Sequence, residues 1–253
     1  MTPASEKITE NLSRVRDRIN LAASRAARRA EEITLVAVSK THSERKIHEL
    51  YEAGIRHFGE NRVQERESKQ PHLATLEATW HMIGHVQKNK AARAARLFHS
   101  IDSVDSVALA EKLDRAMADF TTEGTESKTK DESNLFAARN RLRVLIEVKL
   151  DSEPAKSGVD SKDLPRLVET ISRLPHLDLR GLMGVPPYSD DPEEARPHFR
   201  RLREWRDALR ASMGAEILPV LSMGMSHDFE IAIEEGATEV RIGTALFGAR
   251  EEE

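Results

Sequence analysis

Apolar and polar residues recur with two different periods along the chain, and the exchange between them sets the order of its elements. Residues 5–29 carry Leu12, Val15, Ile19 and Ala22 at helical spacing with no internal Pro or Gly, which predicts a helix. Residues 33–40, Ile33-Thr34-Leu35-Val36-Ala37-Val38-Ser39-Lys40, then place apolar groups in both phases of a two-residue alternation. A strand that is greasy on both faces is central in a parallel sheet with helices around it. From there the two patterns alternate. Strands are expected at 55–60, 79–84, 98–102, 142–150, 177–185, 217–223 and 239–246. Helices are expected at 43–53, 61–76, 87–97, 104–120, 163–174, 192–213 and 227–235. Ser43 and Gly54 suit the start and stop of the first of these, and Pro71 breaks or kinks the second. Residues 121–133 contain Gly, Ser, Thr, Glu, Lys and Asp without one apolar side chain, and read as a flexible surface insertion.

Eight strand–helix units in strict alternation predict an α/β fold, a single (β/α)8 TIM barrel with an extra N-terminal helix. An open doubly wound sheet is the alternative, because strands two and four are short. The 253 residues suit one barrel domain spanning 1–253. With 39 Lys+Arg against 43 Asp+Glu the formal charge is −4, which gives no electrostatic footprint for nucleic acid. The absence of cysteine excludes a disulfide framework, a thiolate metal site and a cysteine nucleophile. The first twenty residues are charged and no run approaches the ~18 apolar residues of a membrane span, so a cytoplasmic protein without a membrane partner is expected.

The unusual residues gather at the carboxyl ends of the strands, where parallel α/β folds collect ligands and chemistry. Lys40 ends the first strand in phase with Val36 and Val38. Burial disfavours a charged amine, and a neutral amine attacks an aldehyde to form a Schiff base. The alternative is a lysine that leaves the core and reaches for water. Further candidates are Gly59-Glu60-Asn61, Gly84-His85, Met183-Gly184, Ser222 to Ser226, and Arg241 to Thr244. In the turn after strand seven, Gly224 permits close backbone approach, and Ser226 stands where a helix cap belongs. Gly243-Thr244 adds a second close backbone and a hydroxyl, so a phosphate site after strands seven and eight is expected, with an ordinary capped turn as the alternative. Arg241 shares a face with Gly243 and needs a partner if buried, either a carboxylate or a ligand's ring nitrogen. His81 and His85 lie four apart, but across a strand end, so they do not make a zinc pair. His42, His57 and His227 could stand near the mouth as surface or packing residues.

Seven segments together resemble the pyridoxal phosphate homeostasis protein family, small relatives of the alanine racemase barrel. They are residues 35–41, 53–61, 80–90, 156–158, 181–183, 221–226 and 239–248, in the family's order through nearly the whole chain. The resemblance implies an alanine-racemase-like barrel (PLP fold type III) with pyridoxal 5'-phosphate as cofactor. It implies Lys40 as the Schiff-base lysine, Ser226, Gly243 and Thr244 around the phosphate, Arg241 facing the pyridine nitrogen, and Asn61 beside the ring. Met183 and Ser222, inside the matched segments, complete the expected cofactor-binding set. A charged Arg at the pyridine nitrogen disfavours its protonation and makes the ring a weaker electron sink. A non-catalytic role in intracellular vitamin B6 and amino and keto acid homeostasis is therefore expected, with apo-enzymes that take up the cofactor as candidate partners. The chain ends soon after strand eight, so no second domain and a monomer are expected. The alternatives are a low-activity amino-acid racemase, which needs the same lysine, and a cofactor-free barrel aldolase, which leaves Arg241 without a role.

Overall fold

In the computed structural model, which describes residues 3–126, 141–151 and 157–248, eight parallel strands close into a barrel in sequence order. They are β1 Thr34–Val38, β2 His57–Glu60, β3 Thr79–Met82, β4 Ser100–Val104, β5 Leu142–Glu147, β6 Leu177–Met183, β7 Val220–Ser222 and β8 Glu239–Ile242. Closure comes from β1 pairing with β8, with Val36 opposite Arg241. The barrel prediction holds and the open sheet does not. Helices α1 Pro3–Arg25, α2 Glu44–Glu52 and α3 Val63–Leu73 open the outer layer, and helices Ala91–Leu97, Val107–Glu126, Leu164–Ser172, Arg196–Met213 and Phe229–Glu234 continue it.

Alternation along the strands separates two interiors. Ala37, Phe58, Trp80, Ile101, Val144, Leu182, Leu221, Val240 and Ile242 face outwards into the apolar layer under the helices. The other phase faces the barrel axis and is unusually polar. His57 Nδ1 lies 3.0 Å from His81 Nε2, and His81 Nδ1 lies 2.8 Å from Asp102 Oδ2. Arg143 donates to Glu239 Oε2 at 2.8 Å, and Ser100 Oγ donates to Asp102. His81, Asp102 and Glu239 are close enough to hold a cation, and the Arg143 guanidinium already supplies that charge. Burying such groups is tolerable because they hydrogen-bond one another.

Several boundaries differ from the sequence pattern. α1 stops at Arg25 because Ala27 takes φ +53 and Arg28 N bonds back to Ala23 O, a left-handed helix cap. The helix expected at 104–120 runs on to Glu126, so the first part of the expected 121–133 insertion is helical; a polar run without proline continues a helix without difficulty. The remainder of that segment lies outside the described residues. Pro71 sits inside α3, which ends two residues later. Strand eight stops at Ile242 instead of running to 246, because Gly243 O accepts from Leu246 and Phe247 and starts the short helix Thr244–Phe247.

Candidate cofactor site at the carboxyl mouth of the barrel

The expected site residues come together on one arc of the mouth. Met183 closes β6, Ser222 closes β7, Ser226 lies in the loop beyond it, and Arg241, Gly243 and Thr244 occupy β8 and its end. Lys40 lies two residues past β1, and Asn61 directly follows β2. Strands β6, β7, β8, β1 and β2 are consecutive neighbours around the barrel, so all eight residues line a continuous half of the rim.

Arg241 is buried and points inwards between its outward neighbours Val240 and Ile242. Its Nη1 donates to Ser222 Oγ at 2.8 Å and its Nη2 to Gly184 O at 3.1 Å. Burial lowers its pKa, and Glu239, Asp102, Glu147 and Asp228 oppose that shift. The direct partners of Arg241 are thus a hydroxyl and a carbonyl at the rim, not the carboxylate expected from the sequence; the carboxylates act only at longer range.

Ser226 does not cap the following helix. Asp228 occupies the cap position, and its carboxylate accepts Met225 N–H at 2.6 Å. Ser226 Oγ instead accepts the N–H groups of Gly243 and Ala245, both at 3.3 Å. One hydroxyl oxygen therefore serves two amides at the long end of hydrogen-bonding distance, and its own proton remains to donate. A Cβ added at Gly243 would meet nothing closer than Val38 at 3.5 Å, so space opens there above β1. Thr244 is exposed at the start of the last helix. The unused Ser226 proton, the exposed Thr244 hydroxyl and an open glycine face, beside two amides bonded to Ser226 only at long range, suit an oxyanion such as phosphate.

Gly224, expected to approach a ligand, approaches protein instead, and so does Gly84 at the end of β3. A Cβ on Gly224, at φ +93, would lie 2.6 Å from the Ala232 Cβ. One on Gly84 would lie 2.3 Å from Asn61 O, so Gly84 locks the end of β3 against the residue that follows β2. Among the histidines, half-buried His57 opens β2 at the amino end of the barrel and not at the mouth. His42 stacks on Phe247 at 4.1 Å, His227 is exposed, and His85 pairs with Asp105 at 3.1 Å, apart from buried His81. Tyr188 is 81% exposed and donates to Asp190. Lys156 lies outside the described residues.

Glu147 was not legible in the sequence. It ends β5 beside Met183, and its Oε2 is buried with no hydrogen-bond partner among the described residues. Burial raises its pKa to about 7 against the pull of Arg241, with Asp105 adding to the rise. The available signal was an acidic residue at a strand end in phase with Arg143 and Leu145, in a strand otherwise read as core.

A family model, alanine racemase, N-terminal domain, matches residues 10–251. The pyridoxal phosphate homeostasis protein of Aquifex aeolicus is 43% identical over 243 residues, covering 95% of this chain and 97% of that one. The chain belongs to the pyridoxal phosphate homeostasis protein family. PipY of Synechococcus elongatus, solved with PLP bound, superimposes with a TM-score of 0.77 at 36% identity, covering 95% of this chain and all of that one. Alanine racemase from Corynebacterium glutamicum shares the fold at a TM-score of 0.66 and 18% identity, with this chain spanning 61% of its length. No helix among the described residues is long and apolar enough to cross a membrane.

Proposed function

We propose that this chain binds pyridoxal 5'-phosphate at the carboxyl mouth of the barrel and serves vitamin B6 homeostasis. The observation that carries this is the shared arc: Lys40, Arg241 and the Ser226–Gly243–Ala245 amide cradle stand on adjacent strands of a barrel whose near full-length relatives are named for pyridoxal phosphate homeostasis. Lys40 would hold the cofactor by condensation of its amine with the aldehyde, releasing water. Ser226, Gly243 and Thr244 would hold the phosphate, Arg241 would face the ring nitrogen through the position that Ser222 gives it, and Asn61 and Met183 would border the ring. The bound aldehyde is an electrophile for amines; held on Lys40 it is withheld from other amines of the cell until transferred.

A binding role, not turnover, fits the relatives' naming, and a permanently cationic Arg241 at the ring nitrogen would weaken the ring as an electron sink. A single cytoplasmic, monomeric domain that supplies apo-enzymes belongs to the same reading. The test is a titration of the purified protein with pyridoxal 5'-phosphate, followed by absorbance. Saturable binding with a red-shifted band, absent in Lys40→Ala, is expected; a band unchanged in Lys40→Ala contradicts the assignment.

A further inference from the structure

Both peptide groups that flank Lys40 are gripped by one buried cluster from β2 and α3. Lys69 Nζ, its side chain only 7% exposed, donates to Ser39 O at 3.0 Å, to Glu60 Oε1 at 2.9 Å and to Glu65 Oε1 at 2.8 Å. Three donors thus meet three acceptors, which uses the ammonium completely. Ser39 Oγ donates to Glu60 Oε1 at 2.7 Å. On the other side of Lys40, the Thr41 N–H donates to Glu65 Oε1. The Ser39 carbonyl belongs to the peptide before Lys40 and the Thr41 amide to the peptide after it, so the cluster holds the backbone on both sides of its Cα.

Thr41 has φ +64, a left-handed conformation that a β-branched residue rarely adopts. The His42 N–H closes a turn around it onto Ser39 O at 3.1 Å, and Glu65 accepts the Thr41 N–H from outside that turn. Glu60 is fully buried, and burial raises its pKa against the pull of Lys69 and Ser39; Arg66, whose guanidinium lies 4.2 Å above the Trp80 ring, acts on it only through its charge. A mere anchor for α3 would need neither the carbonyl before Lys40 nor a strained residue after it.

We propose that Lys69 and Glu65 are positioning residues for Lys40, a clamp that fixes the direction in which its side chain leaves β1 and so its fit to a phosphate-anchored aldehyde. The proposal rests on Lys40 as the covalent attachment point. Rigid placement favours an intramolecular condensation by sparing the freedom the chain would otherwise lose. In the clamp's absence the Thr41 backbone relaxes and Lys40 samples directions away from the mouth.

The test compares Lys69→Met, Glu65→Leu and Glu65→Gln with Val63→Ala, a buried α3 change outside the clamp that serves as the control for lost stability. Pyridoxal 5'-phosphate binding, the rate of covalent linkage and the circular dichroism induced in the bound chromophore are measured at a temperature where all variants are folded. Lys69→Met and Glu65→Leu are expected to slow linkage and weaken binding by ten-fold or more and to diminish the induced signal. Glu65→Gln, which keeps an acceptor for the Thr41 amide, is expected to recover most of the loss, and Val63→Ala to melt earlier but link normally. Clamp variants that link like the parent, or a Val63→Ala that fails as they do, overturn the clamp alone. A parent that forms no adduct on Lys40 overturns the proposed function and the clamp with it.

Discussion

Arg241 is tied to Ser222 by a 2.8 Å hydrogen bond, so the guanidinium that meets the mouth is fixed by the neighbouring strand and does not swing. A buried cation that loses a partner is costly, roughly 1.5–3 kcal/mol for a hydrogen bond to a charged group. Ser222→Ala is expected to lower unfolding free energy by that amount, measured by chemical denaturation, and to leave the spectrum of the bound cofactor broader, because the ring nitrogen would face a less ordered charge. An unchanged midpoint would show that Gly184 O alone suffices to hold Arg241.

The phosphate cradle predicts a preference that does not involve the lysine. Charge-assisted hydrogen bonds contribute about 1.5–3 kcal/mol each, and 1.4 kcal/mol is a factor of ten. Ser226→Ala and Thr244→Val should each weaken retention of pyridoxal 5'-phosphate by roughly ten-fold or more. Pyridoxal without its phosphate should bind the parent much more weakly, and the variants should lose most of that difference. Equilibrium binding of both aldehydes decides it; variants that keep the full preference place the phosphate elsewhere.

Glu147 predicts a pH dependence of the ligand-free protein. Its carboxyl titrates at an ordinary value of 4.5 in the unfolded chain and at about 7 in the fold. The folded state therefore binds the proton more tightly, and stability falls as pH rises from 4.5 through 7. Below 4.5 both states are protonated and the penalty is absent; above 7 both are ionised and it is complete. The interval corresponds to about 3 kcal/mol at 1.36 kcal/mol per pH unit. Glu147→Gln should gain up to about that much above pH 7 and little near pH 4.5, read as the difference between the two denaturation profiles. A gain that does not vary with pH would mean the carboxyl is not desolvated as described.

The barrel was legible because each strand carries its own signal: apolar residues in both phases mark β1, and turn residues punctuate the rest. The mouth was legible because Lys40, Arg241 and Gly243 stand at strand ends. What escaped were relationships set by tertiary approach. Gly224 looks like a ligand-facing glycine in sequence, yet Ala232 fills the space where a side chain would stand, and Gly84 at its strand end is likewise closed off by Asn61. Ser226 resembles a cap, but Asp228 occupies that position, and the Ser226 hydroxyl serves the amides that follow β8. Glu60, Glu65 and Lys69 read as part of a charged helix and its preceding strand; only the fold shows them buried against Ser39 and Thr41.

A homeostatic binding role predicts negligible racemisation. With Tyr188 81% exposed and hydrogen-bonded to Asp190, it is poorly placed to serve as the opposing base that α-proton chemistry requires. Alanine incubated with the cofactor-loaded protein in deuterated water should retain its α-proton at the rate seen with free cofactor. Rapid exchange that disappears in Lys40→Ala would assign the chain to the racemases instead.

The most direct measurement of the central claim is the mass of the covalent adduct. The cofactor-loaded protein is reduced with borohydride, digested and mapped by mass spectrometry. The account predicts a reduced pyridoxyl-phosphate adduct on the peptide that contains Lys40, and none at that site in Lys40→Ala. An adduct confined to other lysines, with Lys40 unmodified in the parent, would contradict it.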